Sequence, residues 1–200
     1  MPNPVTISAA VEGIVDEAVV RRLITHVGGH PGPVHGKNGK PALHQKINGY
    51  NNAAKHTPWV VLVDLNSDAQ CAPILRRNWL PTPAPQLCFR VAVRQVEAWL
   101  MADAETLADY LGVGRRQIPA DPEELPNAKT EMVNLAHRSR RTVIRQDMVP
   151  RQGSGRSVGP AYSSRLIEYA ERHWRPEVAA QHADSLRRAI DCLTRFVEEA

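Results

Sequence analysis

Aromatic residues make up only 5% of this 200-residue chain, and cysteine occurs three times, at Cys71, Cys88 and Cys192. The cysteines are far apart and none forms a CxxC pair, which excludes a disulfide framework and argues against a zinc framework. All three are expected to be reduced, mostly buried, small apolar residues. No apolar run approaches the roughly 20 residues needed to cross a bilayer, so no membrane association is expected. The opening MPNPVTISAA has neither the basic start nor the long apolar core of a signal peptide, and a cytoplasmic location is the expectation. There is no GxSxG nucleophile elbow. PGPVHGKNG imitates a phosphate-binding P-loop and fails: Pro31 stands where the motif needs Gly, and Asn38 replaces its Ser or Thr. His26, His30 and His35 surround a Gly/Pro-rich stretch with no cysteine nearby, so zinc is not expected there.

What is present is an ordinary globular composition, 42% apolar and 23% charged, in a chain long enough for one domain with a real core. VTISAAV (5–11), WVVLVD (59–64) and LCFRVAV (87–93) read as buried strands, the second most strongly. IVDEAVVRRLITHV (14–27) has Val20, Leu23, Ile24 and Val27 at helical spacing. GGHPGPVHGKNGK (28–40), with five Gly and two Pro, reads as a loop. Residues 41–56 suit a helix of about two to three turns, residues 69–80 a short helix near Pro73, and VRQVEAWLMAD a helix directly after the third strand. Strands alternating with helices predict an α/β layer with a mostly parallel sheet flanked by helices. Beyond residue 112 the chain reads as mainly helical: 127–139, 163–174 and 183–200, the last with Leu186, Ile190, Leu193 and Val197 in one stripe. This predicts an α/β core over 1–112 and a mainly helical region over 113–200 packed on it, as a cap or a separate subdomain.

The net charge is +4, and its placement says more than its size. Arg138, Arg140, Arg141, Arg145, Arg151 and Arg156 face a single acid, Asp147, within their segment. Such a cluster suits phosphate contacts with DNA or RNA; a solvated basic loop is the plainer alternative. Ligands of open α/β sheets bind beyond the carboxyl ends of the strands, and three acids fall there: Glu12, Asp64 and Glu97. Asp16 lies four residues after Glu12 and Asp68 four after Asp64. Carboxylates gathered at one edge repel one another unless a cation sits between them. Mg²⁺ is the usual solution, using one or two carboxylates plus water and substrate phosphate. Each acid also has a structural explanation: Asp68 before AQCAPIL suits a helix N-cap, and Asp16 suits a first helical turn.

VEGIVDEAVV followed by VLVDLNSD resembles the Toprim pattern, an acidic Glu-Gly after the first strand and a DxD-type element after a later one. With RVAVRQVEAWLMAD and GPAYSSRLIEYA, the chain resembles a small bacterial Toprim-like family of unassigned biochemical function. That family is related to the Toprim nucleases of the overcoming-lysogenisation-defect group, which accompany ATPases in phage defence. The resemblance implies a Toprim-like fold and a metal-dependent nuclease or phosphoryl-transfer activity on nucleic acid, with Mg²⁺ or Mn²⁺ as cofactor and an ATPase as partner. It implies that Glu12 is a metal ligand or acid/base group and that Asp64 is the first DxD carboxylate. Asn66 stands at the second, where an Asp is expected; Asp68 is placed to compensate, and Asp16 and Glu97 correspond to additional acids. Lys129 corresponds to a phosphate-contacting lysine, and Lys46 and Lys55 are further candidates to face nucleic acid. Two alternatives stay open: a non-catalytic module that binds nucleic acid or an ATPase, and a structural subunit whose acids are satisfied at the surface.

Overall fold

The computed structural model describes residues 4–199. Four parallel strands form one sheet in the order β2-β1-β3-β4: β1 (Thr6–Val11), β2 (His30–Gly36), β3 (Trp59–Asp64) and β4 (Leu87–Ala92). Helix α1 (Ile14–His26) connects β1 to β2, α2 (Lys40–Gln45) and α3 (Ile47–Ala53) connect β2 to β3, and α4 (Ala72–Trp79) connects β3 to β4. The remaining helices are α5 (Val96–Met101), α6 (Ala104–Leu111), α7 (Ala128–His137), α8 (Thr142–Met148), α9 (Tyr162–Arg172), α10 (Pro176–Ala179) and α11 (Asp184–Glu198). The expected α/β class with a helical C-terminal half is the architecture observed.

Side chains of a strand alternate between faces, and here both faces are covered. Ile7, Ala9, Val11, Val60, Leu62, Cys88 and Ala92 pack with α1 and the helices from α5 onward. Ala10, Val61, Val63, Leu87, Phe89 and Val91 pack against α2, α3 and α4. This two-sided burial explains why WVVLVD is apolar without interruption. The first cluster runs from Ile7 to Leu193, so the helices after residue 112 share the sheet's core rather than forming one of their own. Two buried tryptophans join them. Trp174 Nε1 donates to the Trp99 carbonyl at 3.2 Å, and Trp99 Nε1 donates to Ser185 Oγ at 2.7 Å. Asp103, fully buried, accepts from Arg175 Nη2 at 2.7 Å and Nε at 3.0 Å, and so ties α10 to the start of α6.

The structure corrects four readings of the sequence. The stretch expected as a loop at 28–40 contains β2. It is an edge strand paired on one side only, from Thr6↔His30 to Val11↔Gly36, with an irregularity between Ile7 and Ala9. Prolines are tolerated at an edge because the missing N–H need not serve a second neighbour. Helix 41–56 is two short helices that meet at Lys46. The basic segment is not all loop, since α8 occupies its middle. Of the cysteines, Cys88 and Cys192 are buried, but Cys71 is exposed.

The strand order creates one reversal. From β1 the chain moves outward to β2 over one face, then returns past β1 to β3 and continues to β4 over the other. The gap between the carboxyl ends of β1 and β3 is therefore the topological switch point, where ligands of doubly wound sheets bind. Gly36 closes β2 beside it with φ +91°, and an added Cβ would lie 2.2 Å from the Val11 carbonyl oxygen. Left-handed backbone alone costs a non-glycine residue about 1–2 kcal/mol. Gly36→Ala is therefore expected to lose more than about 2 kcal/mol in urea unfolding. Gly49→Ala, inside α3 with nothing within 4 Å of the new methyl, is expected to gain roughly 0.5–1 kcal/mol in the same measurement.

Candidate functional site

Three strand-to-helix junctions meet at the switch point. β1 ends at Val11, Glu12 and Gly13 follow, and α1 begins at Ile14. Glu12 Oε1 accepts the backbone N–H of Asp64 at 2.8 Å, which binds the first junction to the end of β3. Asp16, in the first turn of α1, accepts the Gly13 N–H at 2.7 Å. A Cβ at Gly13 would press on that carboxylate at 3.3 Å. Asp64, the last residue of β3, accepts through Oδ1 the N–H of Val96 at 3.0 Å, the first residue of α5. Glu97 is the next residue of α5 and follows β4. Glu12, Asp16 and Asp64 are thus each held by a backbone amide at one of these junctions.

Burial makes their charges interact strongly. Asp16 is 7% exposed and Glu97 2%. Burial first, then the charges of Glu12 and Glu97, push the Asp16 carboxyl up to about 7. Asp64 is driven well above the usual carboxylate range by burial and by Asp16, Glu97 and Glu12 together. Glu12 is raised as well, chiefly by burial. Glu97 Oε1 accepts from the Tyr162 hydroxyl at 3.2 Å and lies 3.5 Å from Lys129 Nζ. Its other oxygen, Oε2, is buried without a hydrogen-bond partner among the described residues. Burial would pull the Lys129 ammonium down, but Glu97 and Asp64 outweigh it and hold the ammonium above its ordinary value. Lys129 itself is positioned by its N–H, which donates to Gln95 Oε1 at 2.9 Å.

These groups line a cavity of about 460 Å³, together with Lys37, Gly39, Ser157, Val158 and Ser163. Among the described residues, no three His, Cys, Asp or Glu side chains close around one point as a finished cage. The couplings among the acids show instead an open cluster in which Glu12, Asp16 and Asp64 each commit an oxygen to an amide. Hard oxygen donors, a buried carboxylate oxygen with no partner and space for water fit a divalent cation such as Mg²⁺, which keeps several waters when protein-bound.

Of the expected site residues, Glu12, Asp16, Asp64, Glu97 and Lys129 converge on this cavity, and Asn66 and Asp68 do not line it. Asn66 adopts a left-handed conformation with φ +49°, one that Asn tolerates better than most residues. Its N–H donates to the Arg94 carbonyl at 2.9 Å, and its carbonyl accepts from Arg94 Nη1 at 3.2 Å. The helix-cap alternative for Asp68 fails because α4 begins at Ala72, with Cys71 at the cap. Asp68 pairs instead with Lys40 at 2.5 Å. Lys40 also lies 3.7 Å from Glu12 Oε1 and donates to the Asp64 carbonyl.

The arginines divide into two groups. Arg138 pairs with Glu131 at 3.6 Å, Arg140 donates to the Gly112 carbonyl, and Arg145 donates to the Ser139 carbonyl and to Thr142 Oγ1. They and Arg141 stand at the junction of α7 and α8, outside the acidic cavity. Arg151 and Arg156 are exposed in the loop whose next residues, Ser157 and Val158, line it. Lys40 and Tyr162 are site residues that the sequence did not single out. Lys40 is the last residue of the stretch expected as loop, and Tyr162 lies 65 residues beyond the carboxylate it contacts.

Compared with known proteins, the chain matches no family model, no curated protein and no solved structure.

A carboxyl group whose proton affinity is raised by folding contributes stability at low pH and loses it as pH rises through its folded value. For Asp16 that loss spans the interval from its ordinary 3.8 to about 7. Asp16→Asn keeps an oxygen for the Gly13 N–H and removes the charge. In metal-free buffer it is expected to raise the melting temperature by several degrees at pH 8, where each kcal/mol corresponds to about 2–4 °C. The gain is expected to vanish near pH 4. Calorimetric melting across that range checks both ends.

Proposed function

We propose that this chain is a Toprim-like, metal-dependent phosphoryl-transfer protein that hydrolyses phosphodiester bonds in nucleic acid. The observation that carries the reading is the convergence of Asp16, Asp64 and Glu97, from three separate junctions, on one cavity at the switch point. Phage defence beside an ATPase partner is the cellular setting that the sequence resemblance attaches to this chemistry.

Asp64, Glu97 and Asp16 are the residues that would hold Mg²⁺ or Mn²⁺. Such an ion, when bound, activates water and stabilises the leaving oxygen of a phosphodiester. The chain's own groups do the rest. Glu12 is a positioning residue, because its carboxylate holds the amide of Asp64 and so sets the direction of that side chain. Lys129, kept charged by Glu97 and Asp64, is the cation available to a substrate phosphate. Tyr162 keeps its proton far above neutral pH, under burial and the charge of Glu97, and so donates a hydrogen bond rather than acting as a base. Asp16, whose carboxyl is raised to about 7 by burial and its neighbours' charges, would release that proton on ligating an ion, so that binding strengthens as pH rises. The loop carrying Arg151 and Arg156 borders the cavity, where a nucleic-acid backbone would pass.

One observation favours a second reading, a non-catalytic module that binds nucleic acid or an ATPase. The Lys40 ammonium already lies between Glu12 and Asp68 and supplies positive charge where the resemblance expects carboxylate ligands. Metal affinity separates the two readings. In calorimetric titration with Mn²⁺, Asp64→Ala is expected to weaken binding by at least the roughly 10–100-fold seen when a merely supporting group is lost. It is expected to abolish divalent-dependent cleavage of single- and double-stranded DNA and RNA. No divalent binding by the unaltered protein, together with nucleic-acid binding that survives Asp64→Ala, would establish the module instead.

A further inference from the structure

Arg90 is out of place by the rule that shaped its strand. On β4 the positions that alternate with it on the same face, Cys88 and Ala92, are completely buried, yet the residue between them carries a guanidinium. Arg76, on α4, approaches the same point from the other side of the sheet edge. Both side chains are half-buried, and the Nε of each is buried with no hydrogen-bond partner. Neither arginine is paired with a carboxylate among the described residues, although Arg90 lies against the thiols of Cys88 and Cys192. Leaving a buried charged donor unsatisfied is costly, and two like charges side by side add to that cost.

The two guanidiniums border a small cavity of about 60 Å³ between β4, α4 and α11, closed by Val91, Ser185 and Arg188. Ser185 is already committed, and Arg188 is committed in part. The Ser185 hydroxyl serves Trp99, the Val93 N–H and Glu123, and Arg188 Nε pairs with Asp184 at 2.7 Å. Arg76, Arg90 and Arg188 thus bring three guanidiniums to the border of this space, and none of the residues lining it is acidic. The space exceeds the ~30 Å³ share of one liquid water and is far too small for a nucleoside.

We infer that the cleft between β4, α4 and α11 binds a single phosphate group through Arg76 and Arg90, apart from the acidic cavity. Planar guanidiniums match the oxygens of a tetrahedral oxyanion with paired N–H donors. An anion there would offset the repulsion between the two guanidiniums. The plainer account is that the arginines only guard the open edge of β4 against pairing with another chain. A guard of that kind needs no ligand, and this difference is measurable.

The test uses the full chain without divalent cations, so it is independent of any metal at the acidic cavity. Inorganic phosphate is titrated by calorimetry at constant ionic strength, balanced with chloride. Saturable one-to-one binding is expected. It is expected to weaken at least tenfold in Arg90→Gln and in Arg76→Gln, and to be unchanged in Arg77→Gln, an exposed neighbour on the same helix. Circular dichroism identifies any variant that has lost its fold, and the other then supplies the reading. A single-stranded oligonucleotide is added to the phosphate complex. Displacement assigns the site to backbone phosphate, and its absence to free phosphate. No saturable binding, or affinity unaltered in both folded variants, would overturn the assignment.

Discussion

Mutual repulsion among carboxylates taken out of water is the constraint around which this molecule is arranged. Asp16, Asp64, Glu97 and Glu12 come from three strand-to-helix junctions, and the other three together raise the proton affinity of Asp64. Such a group persists only with compensation on every side. Backbone amides of Gly13, Asp64 and Val96 supply part of it. Lys129, Tyr162 and Lys40 supply more. Glu97 Oε2 remains without a partner in its buried position. A protein selected for stability alone has no reason to keep that arrangement, and this is the physical basis for reading it as functional.

The helical half of the chain is part of the site rather than an addition to the sheet. Lys129 comes from α7 and Tyr162 from α9, and Ser157 and Val158 come from the loop between α8 and α9. These elements reach the acids because the core is continuous from Ile7 to Leu193, with Trp99 and Trp174 hydrogen-bonded at its centre. Gly159 holds the same loop close to α8: a Cβ there would fall 2.4 Å from the Asp147 carbonyl oxygen. The residues before Gly159 are the less constrained part of this loop, and Gly153 and Gly155 there have open space around them.

The distribution of arginine changes once the fold is known. Arg138, Arg140 and Arg145 look like one reservoir of positive charge in the sequence, but Arg138 pairs with Glu131 of α7, and Arg140 and Arg145 donate to the carbonyls of Gly112 and Ser139. Arg76 and Arg90 attract no attention in the sequence, yet their buried Nε donors, like that of Arg22, have no hydrogen-bond partner among the described residues. Charge density along a chain measures what is available, whereas burial decides which charges still need a partner.

By itself the sequence determined the α/β class, three of the four strands and the placing of Glu12, Asp64 and Glu97 at element junctions. Alternation and helical spacing are local properties, and a fully apolar strand such as WVVLVD is legible without its neighbours. β2 was not legible, because His-Pro-Gly-Pro-Val-His-Gly becomes a strand only through pairing with β1. Asp68 and Asn66 were misleading for a related reason. Their spacing from Asp64 suggested ligands, but a left-handed turn at Asn66 carries the chain away from the cavity. Which acids share a site, which lysines answer them and which arginines remain unanswered were decided by tertiary structure alone. Electrostatic energy depends on distance and burial, and sequence separation specifies neither.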